Sequence, residues 1–101
     1  MYKVIGIIKR PEGMEFEAFK TWWLTENAPK VKQRPGLTKY SINLCTTENQ
    51  SFDGVAEVWF ESKDAMNAVF DTPEGQRARA SATSGASDVH ILLTEEHVMV
   101  E

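Results

Sequence analysis

The 101 residues contain one cysteine, Cys45, and two histidines, His90 and His97. A lone thiol cannot close an intrachain disulfide, so no covalent staple supports the fold, and the chain reads as a cytoplasmic protein with a reduced thiol. The two histidines have opposite parity on one predicted strand and would point to opposite faces, which excludes a shared metal between them. No zinc spacing, glycine-rich phosphate loop or nucleophile elbow is present either, so no metal site is expected. Basic residues are in deficit: 11 Lys and Arg stand against 15 Asp and Glu, for a formal charge of -4, and the positive ones are scattered. That distribution offers no footprint for nucleic acid or for an anionic membrane surface. Long apolar runs are missing too. Lys3 interrupts the first one, and neither a membrane span nor a signal-like start is expected.

What is present suits a single domain over 1–101. A hydrophobic content of 42% is enough for one ordinary core. Residues 2–9, YKVIGIIK, form a Val- and Ile-rich run closed by the turn chemistry of Arg10-Pro11-Glu12-Gly13. Apolar residues occupy both parities, Val4 and Ile8 on one and Ile5 and Ile7 on the other, so this strand is predicted to be central and covered on both faces. From Glu15 to about Arg34, Phe16, Phe19, Trp23 and Val31 fall at helical spacing, and Asn27 completes the stripe four residues after Trp23. Asn27 is therefore predicted to face inward. Pro29 breaks the ladder nearby, and Pro35-Gly36 ends it.

Residues 37–46 alternate Tyr40, Ile42 and Leu44 with Lys39, Ser41, Asn43 and Cys45, the half-polar pattern of an edge strand. A short loop joins them to 55–60, VAEVWF, in a predicted hairpin that sets Asn43 across from Glu57. Ser62 then caps a second helix with Ala65, Met66, Val69 and Phe70 as its apolar members. Residues 74–88 read as a short helix fading into a loop, and 89–100 as the last strand. Strand, helix, strand, strand, helix, strand is the ferredoxin-like βαββαβ order: an α+β fold with an antiparallel four-stranded sheet and both helices on one face. The other face, holding Ile5, Ile7, Val55 and Trp59, is too apolar for water. A second copy's sheet is its expected cover, which gives a homodimer through the sheet faces.

The segments FKTWWLTENAPKV, RPGLTKY, FDGVAEVWFES and TPEG, in this order and at these separations, resemble the EthD family. The resemblance covers nearly the whole chain. It implies a ferredoxin-like subunit, a dimeric α+β barrel made by face-to-face sheets, and a pocket between each sheet and its helices. It implies neither a metal nor an organic cofactor. Activities in the family range from lactone isomerisation to polyketide processing. Its members commonly carry a histidine where this chain has Asn27, whereas the tyrosine after their Pro-Gly-Leu is kept as Tyr40.

Histidine moves protons near neutral pH and an amide does not. Asn27 is thus expected either to satisfy backbone freed by Pro29 or to polarise a ligand carbonyl. Tyr40 is predicted on the helix side of its strand, as packing or as a hydroxyl partner for a ligand oxygen. Trp23 is either plain core or a pocket wall. Glu57 is either ion-paired at the dimer interface or a proton carrier. His90 is either a strand-end residue or the replacement for the absent histidine. The expected catalytic groups are accordingly Tyr40, Asn27 and His90, and the expected ligand contacts are Trp23, Phe19, Glu57 and Trp59. Two functions follow. The first is a cofactor-free enzyme of isomerase or lyase type acting on a small apolar carbonyl compound, lactone or polyketide. The second is a non-catalytic protein that binds such an oxygen-bearing ligand.

Overall fold

The computed structural model describes residues 1–33, 36–47, 50–68, 71, 73 and 88–101. Its elements are β1 (Tyr2–Lys9), α1 (Phe16–Trp22), a π-helical turn (Trp23–Asn27), α2 (Ala28–Val31), β2 (Leu37–Leu44), β3 (Gly54–Phe60), α3 (Lys63–Asn67) and β4 (Asp88–Glu95). The strands form one antiparallel sheet in the order β2-β3-β1-β4. This is the ferredoxin-like α+β arrangement: β1, apolar on both parities, lies inside, and half-polar β2 lies at an edge. The Ser62 cap is present, its hydroxyl accepting from the Ala65 N–H at 3.0 Å. Val69, Phe70 and the expected short helix up to residue 87 lie outside the described residues.

Register assigns every strand residue to a face. On the helix side three regular rows cross the sheet, Tyr40–Val58–Val4–Leu93, Ile42–Ala56–Gly6–Ile91 and Leu44–Gly54–Ile8–Val89, and a fourth, Leu37–Phe60–Tyr2–Glu95, lies at the end where β2 is irregular. On the other side run Lys39–Trp59–Lys3–Thr94, Ser41–Glu57–Ile5–Leu92 and Asn43–Val55–Ile7–His90. Asn43 is thus opposite Val55 rather than Glu57, a shift of two residues along β3. The hairpin connection spans 45–53, and β2 carries an irregularity between Leu37 and Lys39. Asn43 still reaches Glu57 diagonally, its Nδ2 donating to Oε1 at 3.0 Å.

The buried side chains beneath the helices fall into two groups. One centres on Val4, Val31, Val58, Phe60 and Met66. The other centres on Ile8, Phe19 and Trp23. The division follows the middle row, where the two central strands contribute only Gly6 and Ala56. At Gly54 the core is tight: a Cβ there would stand 2.5 Å from the Trp23 ring and 2.7 Å from the Asn43 carbonyl. β4 stops at Glu95, short of the expected Val100, and the next N–H, of Glu96, donates to the Met1 carbonyl at 2.8 Å. Beyond it, Val98, Met99 and Val100 are exposed.

Candidate functional site

The helical segment over the sheet changes pitch where Asn27 sits. Pro29 has no N–H for the carbonyl four residues back, and its ring crowds that carbonyl, so a regular α-helix does not pass through it unchanged. The Thr25 hydroxyl also donates to the Thr21 carbonyl at 2.6 Å, competing with the main-chain ladder. Between α1 and α2 the chain therefore makes one wider turn, in which the Ala28 N–H reaches the Trp23 carbonyl. Such π turns recur at functional sites. This one carries Trp23 and Asn27 on its inner side, 0% and 2% exposed.

Asn27 flanks the start of α2, yet its side chain makes no cap bond there. Its amide is not used to cap the start of α2. The Oδ1 atom is buried and has no hydrogen-bond partner among the described residues. An acceptor left in that state costs about 1–3 kcal/mol. Asn27 lies in the wall of a cavity of about 50 Å³, which opens into a cleft of about 440 Å³ when the solvent at its mouth is counted. The cavity occupies the gap between the two buried groups, over Gly6 and Ala56. Its other walls, from β1, β3, β4 and α2, are aliphatic, and Asn27 and Tyr40 are the polar side chains lining it. No carboxylate, imidazole, amine or thiol is among these lining residues.

Of the residues singled out from the sequence, the fold brings Asn27 and Tyr40 together at this cavity. Trp23 and Phe19 stand beside it in the buried group, their rings 5.6 Å apart, and Phe19 stacks on Trp22 at 5.5 Å. Neither lines the cavity wall. The Trp23 Nε1 is a second buried polar atom without a partner among the described residues. Glu57, Trp59 and His90 are on the opposite face of the sheet. An odd number of strand residues separates each of them from the helix-side parity, so none reaches the cavity. His90 is half exposed, its Nε2 3.0 Å from Asp88 and its ring edge-on to Phe52.

That opposite face carries a compact ionic network. Lys3 Nζ donates to Glu57 Oε2 at 2.8 Å and to Glu96 Oε2 at 2.6 Å, and Trp59 Nε1 donates to Glu96 Oε1 at 2.9 Å. Lys3 and Lys39 also lie 4.8 Å and 4.6 Å from the Trp59 ring centre. Its hydrogen bonds to Glu57 and then to Glu96 raise the Lys3 pKa above its ordinary value. Those from Lys3 and then Trp59 hold the Glu96 carboxyl below the usual carboxylate range. Among the described residues no group of three or more His, Cys, Asp or Glu is placed to hold a metal ion.

Gly6 and Ala56, which floor the cavity, were not singled out from the sequence, and neither was Ile91; Val31 was named only as part of the helical stripe. The available signal was Gly6 itself, because a glycine inside an apolar strand marks a bulge or a close approach.

The EthD domain is matched by residues 11–83. An uncharacterized 11.0 kDa protein of Rhodococcus erythropolis, from the thcB-thcC intergenic region, is 30% identical over 108 residues, covering 99% of each chain. Among solved structures, an EthD-family protein of Bacillus halodurans superposes with a TM-score of 0.84 at 21% identity, over 96% of this chain and 99% of that one. A dimeric ferredoxin-like protein of unknown function from Thermobifida fusca superposes with a TM-score of 0.73 at 14% identity, over 92% of this chain and 88% of that one. At these identities the structures establish shared architecture, whereas the domain match takes in both Asn27 and Tyr40. The chain belongs to the EthD family.

Proposed function

We propose that this chain binds a small, apolar, oxygen-bearing molecule in the cavity between its helices and sheet. One observation carries the proposal: a carboxamide 2% exposed, with an unpartnered oxygen, in the wall of an otherwise aliphatic cavity. Apolar pockets with a few convergent polar groups are the usual form of small-molecule sites. The Asn27 amide both donates and accepts, and the Tyr40 hydroxyl does the same, so the pair suits a carbonyl, lactone or hydroxyl group. The volume fits a ligand of a few heavy atoms, or the apolar end of a longer one reaching through the mouth.

The open face of the sheet supports a homodimer. Its Lys3, Glu57, Glu96, Asn43 and Trp59 side chains have already found partners within the chain, as groups facing dehydration need to. Around them stand Ile5, Ile7, Val55 and the half-exposed Leu92. The T. fusca protein of this fold is dimeric. The single free thiol, Cys45, suits a cytoplasmic setting.

The ligand reading is tested by NMR titration of labelled protein with cyclohexanone, δ-valerolactone and phenol, following the Asn27 side-chain amide signals. Asn27→Leu, which keeps volume and removes the amide, is expected to keep the fold and to weaken binding about tenfold or more. Tyr40→Phe is expected to weaken it several-fold, and His90→Gln, on the far face, to leave it unchanged. A folded Asn27→Leu that binds every probe as wild type does would rule the assignment out. Isomerase or lyase chemistry is the second reading, favoured by Tyr40 and Asn27 sharing one cavity. Asn27→His separates the two: turnover of the lactone gained by that change supports degenerate acid–base chemistry, while retained affinity without turnover supports binding alone.

A further inference from the structure

Glycine inside a central strand is unfavourable, because the unfolded chain loses extra freedom there and no side chain is gained to pack. Gly6 occupies such a position, in the middle of β1, paired with Ala56 on one side and Ile91 on the other. The two usual reasons for keeping a glycine are absent. Its φ is not positive, unlike those of Gly13 and Gly36. Among the described residues, a Cβ built on it meets only the Ala56 Cβ, at 3.9 Å, which is ordinary contact. Gly54, one row along on β3, is the contrast, since a methyl there would collide with Trp23 and with backbone. What lies over Gly6 is the cavity, with the unpartnered, buried Asn27 oxygen in its wall.

We propose that Gly6, with Ala56 beside it, determines the size of ligand the site accepts: the missing side chain is the space for the ligand's apolar part, while its oxygen meets Asn27 and Tyr40. The inference rests on the ligand reading of the cavity and names the residues that set its selectivity. Gly6 lies outside the residues matched to the EthD domain, so the family match does not supply it. Neither the backbone nor the neighbouring atoms of the described residues resist a methyl at this position. A glycine kept where alanine fits is the signature of a site that needs room.

The experiment compares wild type, Gly6→Ala and Ala56→Gly in three measurements at one protein concentration. They are thermal unfolding, xenon uptake read from the 129Xe chemical shift, and affinity for cyclopentanone, cyclohexanone and cyclooctanone. Gly6→Ala is expected to raise the unfolding midpoint by about 2–8 °C. It should also reduce xenon uptake and weaken binding of the largest ring that wild type accepts by about tenfold or more. Ala56→Gly is expected to lower the midpoint and move the preference toward larger rings. A Gly6→Ala midpoint several degrees below wild type would overturn the inference, since glycine would then serve the fold. An unchanged ring-size profile in both variants would overturn it as well. If wild type takes up xenon that Gly6→Ala excludes, yet binds none of the ketones, Gly6 stands as the residue that opens the cavity and the oxygenated ligand falls.

Discussion

The two faces of the sheet are built by the same four strands and solve the problem of polar groups in opposite ways. On the open face the central charged and polar groups are matched: Lys3 holds Glu57 and Glu96, Asn43 holds Glu57, and Trp59 holds Glu96. On the helix-covered face Asn27 keeps an oxygen buried and unmatched beside a gap that the middle row leaves unfilled. A matched network is what an interface needs, and an unmatched group beside a space is what a binding site needs. On the proposed reading, assembly belongs to one face and recognition to the other. It also removes Glu57 and His90 from the chemistry of the cavity, because the sheet stands between.

The comparison breaks most directly at Trp23, whose ring fills the covered face beside the cavity without lining it. Trp23→Ala is expected to destabilise by about 3–5 kcal/mol, measured by urea unfolding, because a fully buried indole leaves a hole that Phe19 and Gly54 are too constrained to close. A loss below about 1 kcal/mol would mean that this region is loosely packed and that the cavity continues into it. On the other face the matching test is Ile7→Asp, which places a charge between Val55 and His90 without touching the ionic network. It is expected to weaken self-association at least about tenfold in sedimentation velocity, since a carboxylate buried there would have no prepared partner. Ketone affinity should be retained. A dimer of undiminished strength would show that the open face is not where copies meet.

Much of the fold was legible because it follows from periodicity. The two-parity run of β1 marked a central strand, the half-polar β2 an edge, and the Phe19–Trp23–Asn27 stripe an inward helix face. The inward, cavity-lining placement of Asn27 was legible for the same reason, a polar group on an apolar stripe. Face assignment was harder where it mattered for His90. Its parity with Leu92 already matched the open face, but parity alone does not say which face of a strand the helices cover until the register with β1 is known. Register also defeated the Asn43–Glu57 pairing, because the connection between the strands sets it, and that connection, 45–53, begins and ends earlier than the sequence pattern suggested. The cavity floor was the least legible feature. Gly6 sits within YKVIGIIK and interrupts no hydrophobic pattern, so periodicity passes over it, and its meaning appears only when Ala56 is seen beside it and Asn27 above.

The ionic network sharpens the comparison through pH, although its effect is smaller. Glu96 is held below its ordinary value of 4.5 by Lys3 and then Trp59. Its contribution is therefore present above that value and is lost as pH falls through the lower folded one. Lys3, raised above 10.5, contributes fully below that value and loses its part only as pH rises beyond it. Between these limits the pair adds no pH dependence. Glu96→Gln is accordingly expected to melt below wild type at pH 7, with the gap closing as pH is lowered from 5 toward 3, read from unfolding midpoints across that range. Asn27→Leu, on the uncharged cavity side, should keep a constant offset from wild type over the same range. If the Glu96→Gln gap stays constant while that of Asn27→Leu varies, the titrating machinery lies in the cavity rather than on the open face, and the division between the two faces fails.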